Sequence, residues 1–455
     1  MGRPPATVTA DLVYLDGRFE RGRVLALDAS GRITDVASGS DAELNLHGCA
    51  IIPGFVNGHS HAFQRALRGR TASRPADRAA HFWTWRDEMY RLVQSLTPDS
   101  IYEISLLAFR EMAAAGFTTV GEFHYLHRDS TGRPYDDQNL LARRVVDAAC
   151  EAGLRIVLIN VFYERGGMRG EALSPAQRRF SSGIAEEFVA RSVDLARAYV
   201  EDDRVTVGLA AHSLRAVSPE SIRLMLDLIG DELRPFHIHL SEQLIEVEES
   251  EAVYGARPVE LMHELGALDS RTTGVHCTHI TDLEVELLAR SGATVCACPT
   301  TEADLGDGFL RGEELRAAGV RVSLGSDSQA RIDPFEEMRT VEYHERLRHR
   351  RRNVLVAPSS GTGGEGEAAA ENLAVAGELL AMGARSGAES LRVEAGELGP
   401  GRWADLVAVD LEHPVLAGWT DDTLGSSLAL SADPRVVSAT YVAGRLVASL
   451  ADQAS

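Results

Sequence analysis

At 455 residues the chain can hold one large barrel or about three ordinary domains, and 44% hydrophobic with 25% charged residues is an ordinary globular composition. A formal net charge of −21 excludes a general nucleic-acid or anionic-membrane surface, so an anionic substrate needs arginines placed locally. All 46 basic residues are arginine, which excludes a lysine Schiff base, a phosphate-loop lysine and a carbamylated lysine bridging two metals.

Residues 7–50 alternate short Val/Leu/Ile-rich runs with Asp-Gly, Gly-Arg and Ser-Gly turns, which predicts small antiparallel strands. The tail repeats this style in GRWADLVAVDLEHP and RVVSATYVAGRLVAS. One small β-sandwich domain assembled from residues 1–50 and 391–455 is therefore expected. Between them, residues 51–390 alternate apolar runs with amphipathic helical stretches, the pattern of βα units on a parallel sheet.

Eight such runs occur: IIPGFV (51–56), FTTVGEF (117–123), RIVLINVFY (155–163), VTVGLAAH (205–212), PFHIHLSE (235–242), TGVHCTH (273–279), TVCACPT (294–300) and VRVSLGSD (320–327). Helices are predicted in SIYEISLLAFREMAAAG, QNLLARRVVDAACEAG, EEFVARSVDLARAYV and PESIRLMLDLIG. The predicted fold is α/β, a (β/α)8 TIM-like barrel whose chemistry belongs at the C-terminal ends of its strands. RLRHRRRN (346–353) reads as a solvated helix end, and residues 356–371, rich in Gly, Ser, Ala and Glu, as a loop outside the site. The five cysteines, odd in number and without a CxxC pair, read as reduced core thiols. No apolar run reaches the roughly 18 residues that span a bilayer, and no signal-peptide pattern is seen, so a cytoplasmic location is expected.

Ligand-type residues gather at the predicted strand ends. His59 and His61 follow the first run, and i, i+2 side chains on an extended strand share a face. His124 and Tyr125, His212 and Arg215, His239 and Glu242, His276 and Asp327 mark later runs. Three imidazoles and one carboxylate suit a catalytic zinc, with divalent iron the alternative. The assigned ligands are His59, His61, His239 and Asp327, with His237 a rival for the third imidazole. Glu242 is expected to carry a proton from the activated water to a leaving amine, His276 to stabilise developing charge, and Asp327 to accept a proton. Such a site hydrolyses a C–N bond at an sp2 carbon.

These residues resemble a known family. PGFVNGHSH, HIHLSE, a histidine on the sixth strand and GSDS, enclosed by a small β domain, look like the amidohydrolase superfamily in its mononuclear deaminase branch. HSHAFQRALRG, FWTWRDEMYRL (82–92), EFHYLH (122–127), HSLRAVSPE (212–220), HIHLSEQ (237–243) and GSDS (325–328) are together similar to formimidoylglutamate deiminases. TTEADLGDG (300–308) departs slightly from that family's STEANLGDG. The resemblance implies hydrolysis of N-formimino-L-glutamate to N-formyl-L-glutamate and ammonia in histidine breakdown. It also implies that Gln64, Arg86, Tyr125, His212 and Arg215 hold the anionic glutamate portion, Arg215 being the first choice for a carboxylate, and that the protein is a homodimer. Trp83 and Trp85 are expected to pack, and Glu302 to act as a hydrogen-bond partner or a loop anchor. Two other readings compete: a deaminase of a purine, pterin or adenosine derivative on the same scaffold, and a barrel that has lost turnover.

Overall fold

The computed structural model describes residues 3–72, 82–229, 235–356 and 375–449. The expected loop at 356–371 lies, beyond Val356, outside the described residues. The N-terminal segment forms β1 (Thr7–Leu15), β2 (Arg18–Glu20), β3 (Arg23–Leu27), β4 (Ile33–Ser38) and β5 (Leu44–Pro53). The middle of the chain supplies β6 (Phe55–Ser60), β7 (Phe117–His124), β8 (Arg155–Phe162), β9 (Val205–Ser213), β10 (Phe236–Leu240), β11 (Thr272–His276), β12 (Thr294–Ala297) and β13 (Arg321–Leu324). β14 (Leu406–Asp410), β15 (Val437–Val442) and β16 (Arg445–Ser449) follow.

Both ends of the chain meet in one mixed sheet of order β16-β15-β14-β5-β1-β3-β4, with β2 beside β1. Its own apolar cluster contains Val8, Val13, Leu25, Ile51, Leu406 and Tyr441. The run IIPGFV, expected as a single barrel strand, is divided: residues 51–53 finish β5 in the terminal sheet, and the barrel begins with β6. Gly54 makes the crossing. Its N–H donates to the Asp405 carbonyl at 2.8 Å, and a Cβ there would lie 2.3 Å from the Thr118 side chain.

The second sheet runs β13-β12-β11-β10-β9-β8-β7-β6, and its adjacent strands pair in parallel. Every residue of β7 and β8 is buried, as expected for strands with core on both faces. The barrel closes where β6 meets the residues after β13. His61 N–H donates to the Asp327 carbonyl and Asp327 N–H to the His59 carbonyl, each at 3.0 Å. The approach demands glycine: a Cβ on Gly325 would sit 2.7 Å from the His59 carbonyl oxygen.

The predicted helices form as α2 (Pro98–Ala114), α3 (Leu140–Ala152), α4 (Ala185–Ala198) and α5 (Pro219–Ile229), preceded by α1 (Phe82–Ser95). At the start of α2, Thr97 Oγ1 accepts from Ser100 N–H at 3.1 Å and Ser100 Oγ accepts from Thr97 N–H at 2.8 Å, satisfying two otherwise orphan donors. α3 stops at Gly153, which is left-handed at φ 83°. The basic run 346–353 ends the helix Pro334–His349, where Arg346 pairs with Glu342 at 2.6 Å and Arg348 with Glu345 at 3.0 Å. All five cysteines are free. Among the described residues no helix is long and apolar enough to cross a membrane.

One buried ion pair ties the terminal sheet to the barrel. Arg155, first residue of β8, donates through Nε and Nη2 to Asp405 at 3.0 and 3.3 Å, with side chains only 2% and 0% exposed. Asp405 also accepts the Ala443 N–H at 2.7 Å, and the Arg155 guanidinium lies 4.3 Å from the Trp403 ring centre. Removing one member leaves the other charge buried and unpaired. Asp405→Ala is therefore expected to lower stability by about 3–5 kcal/mol, measured as a shifted midpoint in urea unfolding; an unchanged midpoint would show that the pair does not couple the two sheets.

Candidate active site

At the C-terminal mouth of the barrel, four buried side chains point donor atoms at one place. His59 Nε2 lies 3.2 Å from both His61 Nε2 and His239 Nε2, and Asp327 Oδ1 lies 3.1 Å from His61 Nε2 and 3.5 Å from His59 Nε2. Backbone carbonyls orient two of the rings. His61 Nδ1 is 3.0 Å from the Phe123 oxygen and His239 Nδ1 is 2.9 Å from the His212 oxygen. A carbonyl only accepts, so each Nδ1 carries the proton and each Nε2 turns a lone pair inward. Burial pushes His59 down to about 4 and His239 well below its usual range. Burial would raise Asp327, but the imidazoles of His59 and His61 beside it hold it well below the usual carboxylate range. Neutral imidazoles beside an ionised carboxylate fit a divalent zinc or iron. His237, the rival ligand, stands outside this group, and burial pushes it down to about 3.

A second constellation flanks the first. Just past β10, Glu242 accepts from Arg215 Nη2 through Oε2 at 3.1 Å, while its Oε1 lies 3.8 Å from His276 Nε2. Asp327 is divided in the same way, with Oδ1 toward His59 and His61 and Oδ2 3.8 Å from His276 Nε2. His276 Nδ1 lies 3.3 Å from Glu302 Oε1, which also accepts the Cys298 N–H at 2.8 Å. Glu302 is thus both hydrogen-bond partner and loop anchor. Burial would lower His276, but Glu242, Glu302 and Asp327 together carry it well above the usual imidazole range. Left-handed backbone aims these groups: φ is 50° at Ser241, 69° at His276 and 44° at Asp327. Each such residue stores about 1–3 kcal/mol of strain, which the surrounding packing must outweigh.

Above both lies a cavity of about 340 Å³ that Gln64, Arg86, Tyr125, His212 and Arg215 all line, together with His61, His239, Glu242, His276 and Asp327. Gln64 Nε2 donates to the Tyr125 hydroxyl at 2.9 Å and its Oε1 has no donor. Arg86 stacks on Trp83 at 4.3 Å with Nε buried and unpartnered. Arg215 is half committed, because one nitrogen already serves Glu242. Trp83 and Trp85, expected to pack, line the cavity. Tyr163 and Gln177, joined by a 3.0 Å hydrogen bond from Gln177 Nε2, escaped the sequence reading although Tyr163 closes an apolar run. Glu122 escaped it too. A lone carboxylate inside the fully buried strand FTTVGEFH was its signal. Ser60 Oγ and Ala62 N–H donate to it at 2.6 and 2.7 Å, while burial pushes it up to about 7.

Residues 50–447 match the model of the amidohydrolase family. The chain is 38% identical to the formimidoylglutamate deiminase of Pseudomonas aeruginosa, over 97% of this chain and 94% of that protein. It is 31% identical to a 5-methylthioadenosine/S-adenosylhomocysteine deaminase of Natronomonas pharaonis, over 98% and 90% respectively. An amidohydrolase from Brucella melitensis has a similar structure, with TM-score 0.86 and 31% identity over 97% of this chain and 94% of that one. An adenosine deaminase from Xanthomonas campestris, solved with bound zinc, shares the fold at TM-score 0.78 and 22% identity over 97% and 92%.

Zinc should bind the chelator-stripped protein and raise its unfolding temperature. The linkage is about 2.7 kcal/mol when free zinc is about 100 times Kd. His239→Ala should abolish the rise, and a wild-type protein whose unfolding ignores zinc would argue against this donor set as a metal centre.

Proposed function

Because this chain belongs to the amidohydrolase family, we propose that it hydrolyses N-formimino-L-glutamate to N-formyl-L-glutamate and ammonia, a step of histidine breakdown. The observation that carries the reading is a cavity in a strongly acidic protein where Arg86 and Arg215 face the same space as the His61, His239 and Asp327 donors. A substrate with two carboxylates suits two guanidinium groups. The 38% identity to a formimidoylglutamate deiminase, against 31% to an adenosine-derivative deaminase, favours the same substrate over a neutral base.

Zinc, the first choice for three imidazoles and a carboxylate, would be held by His59, His61, His239 and Asp327 and would make water a nucleophile at neutral pH; ferrous iron takes the same donors. Water adds to the formimino carbon as Glu242 moves one of its protons to the imino nitrogen. The Arg215 contact on Oε2 leaves Glu242 Oε1, the oxygen nearer His276, for that transfer. His276, cationic between three carboxylates, stabilises charge developing on the adduct oxygen. The adduct hydroxyl loses its proton to Asp327, which returns it to the same nitrogen. Ammonia then leaves with the C–N electron pair as the formyl C=O forms. Gln64 Oε1, buried without a donor, suits the substrate's secondary N–H, while Tyr125 and His212 shape the wall beside it.

The test is ammonia release by zinc-loaded protein from N-formimino-L-glutamate, run beside methylthioadenosine and guanine. Release from a nucleoside or base but not from the dicarboxylate would move the assignment to the purine-type deaminases. Glu242→Gln is expected to keep zinc while kcat falls by about 10²–10⁴. Arg86→Met should lower kcat/KM by about 30-fold, the equivalent of about 2 kcal/mol, mainly through KM. It discriminates better than Arg215→Met, which would also strip a partner from Glu242.

A further inference from the structure

Behind the donor set, buried side chains from β6, β7 and the turn after β13 are linked from end to end, outside every role assigned above. Asn57 Nδ2 donates to Ser326 Oγ at 2.6 Å, Ser326 Oγ to Gln329 Oε1 at 2.8 Å, Gln329 Nε2 to Ser60 Oγ at 2.9 Å, and Ser60 Oγ to Glu122 Oε2 at 2.6 Å. Two backbone groups fix the direction of the whole chain. Ser326 N–H donates to Asn57 Oδ1 at 3.0 Å, so the other end of that amide must be the donor. The Asp327 carbonyl accepts from Gln329 Nε2 at 3.0 Å, so that amide cannot be reversed without setting two acceptors face to face. The last acceptor, Glu122, also takes the Ala62 N–H at the turn that follows His61. Asn57, Ser60, Ser326 and Gln329 are fully buried and Glu122 nearly so, so each link is insulated from water.

The chain touches the backbone on both sides of the barrel closure and brackets three donor residues. Ser60 lies between His59 and His61, and Gln329 holds the carbonyl of Asp327. We infer that Glu122, Ser60 and Gln329 are positioning residues that set the spacing of His59, His61 and Asp327 through this single directed chain. The inference rests on reading those three as metal ligands. A break anywhere leaves a buried donor or acceptor unmatched and loosens the same two segments, so the links act as one unit.

Zinc affinity of the wild-type protein, measured by competition with a chelator, comes first; failure to bind there removes the ligand reading itself. Ser60→Ala and Glu122→Gln are then expected to weaken zinc by about 10–100-fold while circular dichroism of the metal-free proteins stays that of the wild type. Ser60→Ala removes one oxygen and adds nothing, so it keeps the test open if Glu122→Gln does not fold. The double variant Ser60→Ala/Gln329→Met should bind zinc no more weakly than the worse single variant, since either cut breaks the same chain. Zinc affinities within twofold of wild type in Ser60→Ala, or single effects that multiply in the double variant, would overturn the inference.

Discussion

Closure of the barrel is the interaction on which the rest of the molecule depends. A parallel sheet of eight strands has two open edges until the first and last strands meet, and here they meet through two backbone hydrogen bonds, His61 to Asp327 and Asp327 to His59. Three of the four candidate ligands are therefore the residues that make the seam. Gly325 is the steric condition for that contact, because any Cβ would press on the His59 backbone. The geometry of the donor set and the integrity of the barrel are one structural problem with one solution, and the hydrogen-bonded chain from Asn57 to Glu122 reinforces it from behind.

Charge is distributed to serve the same end. The chain carries 67 acidic against 46 basic residues, yet the cavity has Arg86 and Arg215 in its wall. Other arginines are paired locally, as along the helix Pro334–His349, or buried as in the Arg155–Asp405 lock. Within the site, opposite shifts separate the roles. Burial leaves His59 and His239 neutral and able to coordinate, whereas three carboxylates make His276 a cation. One residue type thus supplies lone pairs on one side of Asp327 and a positive charge on the other.

Periodicity carried much of this. Eight apolar runs separated by amphipathic helices named the barrel, the matching texture of the two ends named a shared β domain, and strand-end histidines named the donor set. His59, His61, His239, Glu242, His276 and Asp327 were legible because parallel strands deliver their C-terminal residues to one mouth. The proposed substrate contacts rested on family resemblance, since nothing in the periodicity of α1 or of the segment after β9 sends Arg86 and Arg215 to the same cavity.

What the sequence by itself determined is the set of residues that strand ends can bring together, because alternation and turn chemistry are local properties of the chain. Only the tertiary structure decided how each is used. It placed residues 51–53 in the terminal sheet, since pairing with β14 is a contact across more than 350 positions. It left His237 outside the donor cluster, turned the two oxygens of Asp327 to different partners, engaged Arg215 with Glu242, and revealed Glu122 behind that cluster. These outcomes depend on which atoms meet in the folded molecule, and no local pattern encodes a distance between residues tens to hundreds of positions apart.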